Sequence, residues 1–456
     1  MSLVAGVARV PLEMPLGGPM MGYGARAGGA RAVHDPLFAR AIYLAGGGKC
    51  LLVELDVCLL APAHAEAVRA RIAERTGVAA ERVLVGSIHT HSGPETGFVA
   101  WLGGAEPPVA SASLFDAAVA AAEQAHASAA PARLGVGRAE ARIGRNRRVA
   151  GGPVDPDVLV VRVDRADRSP LAVLYIHGCH PTVLGHDNLD YSADWPGAAS
   201  RTVESMLPGA TALFALGAHG DVDPRTRGLL DFAIEGQSVG ESFAVMESLG
   251  REVGVAVANA ALAIATDADA TIAADTVRLP LPVHGAADGE PARRSVLAAG
   301  LARALAALEV DPATAEPSVG ELFAMTHERT RHLPRDEARR RIAVARAYLR
   351  DRTAPRFAGG VTPSVGVQVL RLGPAWLLGV PAEATVDVGL DWKSRLGDAP
   401  GSVVSIANGW FRYLPHPRNF AEPDAALRYE ISMSTFEPDA ASRLLDAGDA
   451  LRARLG

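Results

Sequence analysis

Nine short apolar runs, most of them separated by helical patterns, constrain this chain more than any other feature of its sequence. The runs fall at residues 41–44, 51–55, 83–87, 158–163, 171–176, 212–216, 367–372, 376–380 and 403–406. Each has the length of a strand, and unbroken apolar character suits a strand covered on both faces. Helical patterns occupy 62–76, 116–130, 238–266 and 292–308. A further one, over 335–352, carries the run DEARRR, which reads as a solvated face. Strands interleaved with helices predict an α/β fold with a mixed β-sheet core layered with helices. The helix-rich, charged segment 285–354 reads as an insertion over that core. A length of 456 residues is compatible with about three domains on size alone, and no Pro/Ser/Gly linker separates clean halves.

The polar residues fall where the strands end. Run 83–87 leads into IHTHSGP, run 171–176 into HGCHPT, and run 212–216 into GAHGDVDP. A hairpin over 367–380 ends in PAE, and run 403–406 leads into NGWFRY. Open α/β sheets place sites at the carboxyl ends of their strands, where loops converge. Five such loops carrying His, Asp, Glu and Tyr are hard to explain as packing. Imidazoles and a carboxylate from separate strand ends are the ingredients of a zinc site with an open position. Such a site acidifies water to a pKa of about 7 and so supplies a nucleophile at neutral pH. The HxH pattern alone is only moderately specific, because a single loop histidine is more often a surface or core residue.

Charge and cysteine usage exclude several classes. With 45 basic and 51 acidic side chains the formal charge is −6, which offers nucleic acid or an anionic membrane no global attraction. Cys50, Cys58 and Cys179 cannot build a disulfide framework, which fits a reducing compartment. Arg9 and Glu13 break any apolar signal region, and the most apolar stretches are interrupted by Glu54, Asp56 and Asn259. The expectation is a soluble, cytoplasmic protein with no membrane insertion.

Taken in order, the motifs carry a family resemblance. MMGYGAR at 20–26, HDPLFARAIYL at 34–44 and HTHSGP at 89–94 resemble the N-terminal catalytic domain of neutral/alkaline non-lysosomal ceramidases, most of all its shorter bacterial homologues. The likeness continues through CHPTVLG at 179–185, SADWPG at 192–197, GxxGDVDP at 217–224, PAE at 381–383, NGWFRYLP at 408–415 and RYE at 428–430. It implies zinc held by His89, His180, Glu383 and Tyr413. It also implies His91 as the catalytic histidine that stabilises an oxyanion or shuttles a proton, and Arg147 as the arginine that engages substrate. Asp221 is implied as a carboxylate that handles protons or supports the site. Asp56 and Asp194 read as structural hydrogen-bond acceptors, and Cys179 as a buried thiol without a base of its own.

One residue departs from the pattern. The family motif continues GD with Val-Ser-Pro and uses the serine, whereas this chain has Asp223. An acceptor-only carboxylate in place of a hydroxyl argues against ceramide, and suggests a general base or an anchor for a cationic amine. With RYE close to the end of the sequence, the expectation is a protein without the C-terminal β-domain or signal peptide of secreted ceramidases. The reading is therefore one large zinc hydrolase domain over 1–456, since the ligands span His89 to Tyr413, with 285–354 inserted. It would cleave a linear N-acyl amide, a small-molecule or lipid-like substrate, and a homo-oligomer is compatible with it. The rivals are an esterase, lactonase or phosphoesterase using the same zinc, and a non-catalytic ligand-binding homologue.

Overall fold

The computed structural model describes residues 2–23, 26, 28–103, 109–227, 243–283, 334, 362–422, 425 and 428–456. The expected insertion over 285–354, with its helices at 292–308 and 335–352, lies outside the described residues apart from Pro334. Each of the nine apolar runs lies on a strand, with ends displaced by a few residues.

Eight strands form the larger sheet: β1 Val4–Pro11, β2 Phe38–Gly46, β3 Gly48–Leu55, β4 Val83–Ser87, β5 Ala130–Glu140, β6 Asp157–Arg165, β7 Pro170–His177 and β8 Thr211–Leu216. Their order is β8-β7-β6-β5-β1-β2-β3-β4. The sheet is parallel at its two ends, β7 with β8 and β3 with β4, and antiparallel between. A second sheet runs in the order β9 Ile272–Pro280, β10 Ser364–Leu372, β11 Ala375–Gly379 and β12 Gly401–Val404, with its last pair parallel.

The two sheets face each other. Ile42, Leu44, Leu52, Leu84 and Leu174 share one buried cluster with Ile272, Leu370, Leu372 and Leu377. Residues of opposite parity, such as Tyr43, Leu51, Val53, Val83, Val85, Tyr175 and Phe214, belong to the cluster under the helices. Side chains alternate across a strand, so strands covered on both faces must be apolar at every position. That is why the runs were readable, and each fully buried Leu or Val contributes about 1.5–3 kcal/mol. The helices are α1 Pro62–Thr76, α2 Phe98–Gly103, α3 Val109–Ala127, α4 Asp194–Met206, α5 Phe243–Ala263, α6 Val386–Leu396, α7 Pro417–Phe420, α8 Tyr429–Ser432 and α9 Ala440–Leu455. Helices α1, α3, α4 and α5 cover the larger sheet, and α6 and α9 cover the smaller. Pro62 opens α1, and left-handed Gly77 (φ 66°) closes it by donating to Ala73 O. Helix α3 stops at Ala127, short of the expected 130, because Ala130 already pairs with Ala5 of β1.

Glu54 breaks the apolar rule inside the run 51–55. Glu54 on β3 is buried against Gly86 of β4, and neither carboxylate oxygen has a hydrogen-bond partner. Burial pushes its carboxyl well above the ordinary range, with Asp56 adding to the rise. A folded-state value raised above the unfolded one means stability present at low pH and lost as pH rises through that window. Glu54→Met is therefore expected to raise the melting temperature, by removing a buried group whose unsatisfied acceptors cost about 1–3 kcal/mol. Melting curves at pH 5 and pH 8 check this, and the gain should be larger at pH 8.

Candidate metal centre

The site forms where the parallel strands of both sheets end. His89 leaves β4 in the left-handed region (φ 67°), a conformation that a non-glycine residue adopts only when its surroundings hold it there. His89 N–H donates to Val57 O at 3.0 Å, in the loop that follows β3. His180 follows β7, and its N–H bonds Val222 O at 2.9 Å. His219 follows β8 in a loop clamped by Gly220 N–H to Ala384 O at 2.7 Å. A Cβ at Gly220 would lie 2.7 Å from Glu383 O, so this close approach needs glycine. Glu383 follows β11, and Glu383–Ala384 pairs in parallel with Tyr413–Leu414, which sets Glu383 beside Tyr413.

These loops converge on one carboxylate oxygen. Glu383 Oε2 lies 3.1 Å from His180 Nε2 and 3.5 Å from both His89 Nε2 and His219 Nε2. The donor atoms of His89, His180, His219 and Glu383 all lie within 4.8 Å of one another, and all four residues are buried. Each Nδ1 points away to a backbone carbonyl: His89 to Cys58 O at 2.8 Å, His180 to Val222 O at 3.2 Å and His219 to Gly217 O at 3.0 Å. With Nδ1 as the donor, each Nε2 turns its lone pair inward, the orientation of a metal-ligating histidine. Glu383 Oε1 is occupied by Trp410 Nε1–H at 2.8 Å, which leaves Oε2 for the centre. Three inward lone pairs and a carboxylate fit a divalent cation, and N/O donors of this kind suit zinc.

The protonation states of His180 and His219 agree with inward lone pairs, whereas His89 holds a proton. Burial pulls His180 down to about 3, with Arg147 and His219 adding to the fall, and burial also lowers His219. Burial opposes charge on Glu383, but His89 and the His180 hydrogen bond hold its carboxyl well below the ordinary range. Burial likewise opposes charge on His89, yet Cys58 and Glu383 draw it well above the ordinary value. A proton shared with His89 must therefore leave when a cation arrives.

Around this centre lie the other residues expected from the sequence. His91 is half-buried and places Nε2 3.3 Å from His89 Nε2, with its ring edge-on to Tyr23 at 4.7 Å. Its carbonyl accepts Arg26 Nη2 at 2.6 Å, so the MMGYGAR segment holds the HTH loop. Tyr413 Oη accepts from Arg147 Nη2 at 3.1 Å, and burial, then the Glu383 charge, pushes the phenol well above its ordinary value. Arg147 also donates to Glu430 at 2.8 Å, Gly220 O at 2.8 Å and Asp223 at 3.1 Å. Asp223 Oδ1 faces His180 Nδ1 at 3.6 Å, so the carboxylate sits between a guanidinium and an imidazole. Asp221 turns elsewhere. Its carboxylate takes N–H bonds from Asn146, Arg148 and Val386.

Asp56 accepts from Arg40 and Phe38 N–H, and Asp194 from the N–H groups of Val183, Leu184 and Trp195. All three cysteines are free and buried, and burial pushes the Cys179 thiol well up. A second grouping, His34 with Asp35 and Glu247, already has Arg201 on both carboxylates. The sequence reading did not choose His219 as a donor. The available signal was its place just past a strand end, in a loop aligned with those of His89 and His180.

Gly22 sets the position of His91. Its φ is +109°, and a Cβ there would lie 2.4 Å from His91 Cγ. Gly22→Ala is expected to displace that imidazole and lower turnover by about 10²-fold, the usual consequence of a misplacement near 1 Å. Metal content should stay unchanged, which activity assays beside metal analysis would check.

Fold and cluster together define an α/β protein with a buried, carboxylate-backed histidine centre of the kind that holds a divalent cation. Residues 14–240 match the family described as neutral/alkaline non-lysosomal ceramidase, N-terminal. That match, over 227 of the 456 residues, makes the N-terminal part of this chain similar to the ceramidase family. The neutral ceramidase of Mycobacterium tuberculosis is 25% identical over 91% of this chain and 71% of its own length. The crystal structure of neutral ceramidase from Pseudomonas aeruginosa superposes with a TM-score of 0.70 at 21% identity, covering 99% of this chain and 75% of that one. A structure of ceramidase complexed with C2 gives a TM-score of 0.69 at 20% identity, covering 99% and 76%. These two likenesses show the fold. No helix among the described residues is long and apolar enough to cross a membrane.

Proposed function

We propose that this protein is a zinc-dependent hydrolase of linear amides, cleaving an N-acyl bond in a substrate other than ceramide. The observation that carries the reading is the convergence of three imidazole Nε2 atoms on Glu383 Oε2, at 3.1–3.5 Å. His89, His180 and Glu383 would hold the ion, with His219 and Tyr413 beside them as further donors. Bound there, zinc supplies Lewis acidity for the scissile carbonyl and lowers the pKa of water to about 7.

The chain's own residues do the rest. His91 stands beside His89, half-buried, where its imidazole can carry a proton to the departing amine. Arg147 is bound to Glu430, Asp223 and Gly220 O, so it acts by holding the Tyr413 hydroxyl in place. Asp223 stands where the family motif has a serine hydroxyl. Its charge is already matched by Arg147, so neither the serine donor nor a spare carboxylate is offered to a ceramide head group.

Metal analysis and paired assays test the reading. The purified protein should carry stoichiometric zinc, lose activity on chelation and regain it on zinc return. It should hydrolyse short N-acyl amines faster than matched O-acyl esters and faster than ceramide. Protein that holds no zinc, or that prefers esters, would sink the proposal.

A further inference from the structure

We propose that Arg26 is a positioning residue for hydrolysis: it holds the main chain of His91 and so aims the imidazole that carries the proton. The assignment rests on the reading of His91 given above and deepens it.

Three segments of chain meet on one guanidinium. Arg26 Nη2 donates to His91 O at 2.6 Å, Nη1 to Met21 O at 3.0 Å and Nε to Asn188 O at 3.1 Å. All three acceptors are main-chain carbonyls, and the planar fork of arginine lets one side chain reach them together. A second path leads to the same place. Asn188 Nδ2 donates to Ser92 Oγ at 2.9 Å, so Arg26, Asn188 and the His91–Ser92 pair close a ring of hydrogen bonds. The amide of His91 makes only a long bond, N–H to Pro181 O at 3.4 Å, which leaves the carbonyl as the tighter anchor.

The same stretch of chain braces the ring. The Arg26 guanidinium carbon lies 5.0 Å from the centre of the Tyr23 ring, a cation over an aromatic face. Tyr23 stands edge-on to His91 at 4.7 Å, and its hydroxyl donates to Leu184 O at 2.7 Å, which fixes the phenol. Arg26 therefore acts on His91 twice, through the carbonyl and through Tyr23. Burial pulls the guanidinium below its ordinary value, with Tyr23 foremost among the groups that oppose the fall. Taking a cation out of water is costly unless its hydrogen bonds are made, and those of Arg26 go to the loops around His91. The His91 imidazole reaches to 3.3 Å from His89, so a small turn of its backbone would carry the ring away from the centre.

The full-length, zinc-loaded protein and a short N-acyl para-nitroanilide test the assignment. Arg26→Ala should lower kcat by about 10²-fold, the cost of a misplacement near 1 Å, with KM within about two-fold and zinc content unchanged. In a His91→Ala background the same substitution should change kcat by less than about two-fold, because residues that act as a unit are not additive. A purely structural role would lower the residual activity of His91→Ala by the full factor. Arg26→Lys, whose ammonium is a point charge without the fork, stands in if the alanine variant melts early. A crystal structure of Arg26→Ala needs no substrate, and should show the His91 imidazole displaced while His89, His180 and Glu383 keep their places. An imidazole that stays put, equal losses of kcat in both backgrounds, or a loss confined to KM would each overturn the assignment and leave the metallohydrolase reading standing. A His91→Ala protein with wild-type turnover would overturn the role of His91 and the assignment with it. A wild type that holds no zinc, or leaves the amide intact, would overturn both readings.

Discussion

Replacing Glu383 with alanine is expected to remove activity and metal together. Its Oε2 is the point on which three imidazole nitrogens converge, and its Oε1 is fixed by the Trp410 indole. Without the carboxylate the centre keeps neutral imidazoles and no negative charge to set against a divalent ion. Loss of residues that only orient a ligand costs about 10–100-fold in metal affinity or activity. Loss of the anionic ligand itself should exceed that range. The same experiment has a thermal readout. A ligand that binds only the folded state stabilises it by about 4 kcal/mol at a thousand times its Kd. Added Zn²⁺ should therefore raise the melting temperature of the wild type and leave Glu383→Ala unmoved. Glu383→Gln keeps an acceptor for Trp410 but loses the charge, and should behave like the alanine variant in zinc binding. A Glu383→Ala protein that still gains stability and activity from zinc would show that the carboxylate is not a ligand.

The part of this molecule legible in the sequence was the part covered on both faces. Runs such as 171–176 and 212–216 are apolar at every position because helices lie on one side and a second sheet on the other. Strands β1 and β5 escaped notice for the opposite reason. Both are half exposed and carry Gly6, Gly135 and Gly137, which weaken a strand signal. Those glycines answer to packing: a Cβ at Gly6 would lie 2.1 Å from Ala125 O, and one at Gly135 would lie 2.2 Å from Ala265 O. No run of sequence announces such an approach, since the partner is more than a hundred residues away. The site divides in a similar way. His89, His180, Glu383 and Tyr413 could be named because they sit in ordered motifs that resemble a family. Their convergence follows from the parallel strand ends that carry them. His219 lay in a loop already marked as chemical, but only the structure shows its ring turned toward Glu383. The ion pairs of Arg147 with Asp223 and Glu430 join residues 76 and 283 positions apart, a pairing that depends on the complete fold.

Arg148→Met should give the largest loss of stability of any substitution outside the centre, and it decides what Asp221 does. The Arg148 side chain is 1% exposed and that of Asp221 is fully buried. Arg148 Nη2 meets Asp221 Oδ2 at 3.0 Å and Asp387 Oδ2 at 3.4 Å. Methionine would leave two buried carboxylates without that cation, and breaking a buried pair costs about 3–5 kcal/mol. At about 2.1 cal/mol/K of unfolding entropy per residue, a cooperative chain of 456 residues would melt roughly 3–5 °C lower. The pH dependence has a definite sign. Burial raises Asp221 above its unfolded value even though Arg148 and the Val386 N–H pull it down. Stability from such a group is full below the unfolded value, near 4, and is lost as pH rises through the folded one. Removing Arg148 raises the folded value further, so the deficit should be larger at pH 8 than at pH 5. Asp221 also accepts the Val386 N–H at 2.7 Å, at the start of α6 and just past Glu383. It sits two residues after His219, in the same loop. If it pins that loop against Glu383, Asp221→Asn should lower melting temperature and zinc affinity together. If instead it moves protons during turnover, Asp221→Asn should lower kcat alone. Its four N–H contacts, from Asn146, Arg148 twice and Val386, favour the first outcome. A double variant, Arg148→Met with Asp221→Asn, should then recover part of the stability that Arg148→Met loses by itself, because the uncompensated charge is gone.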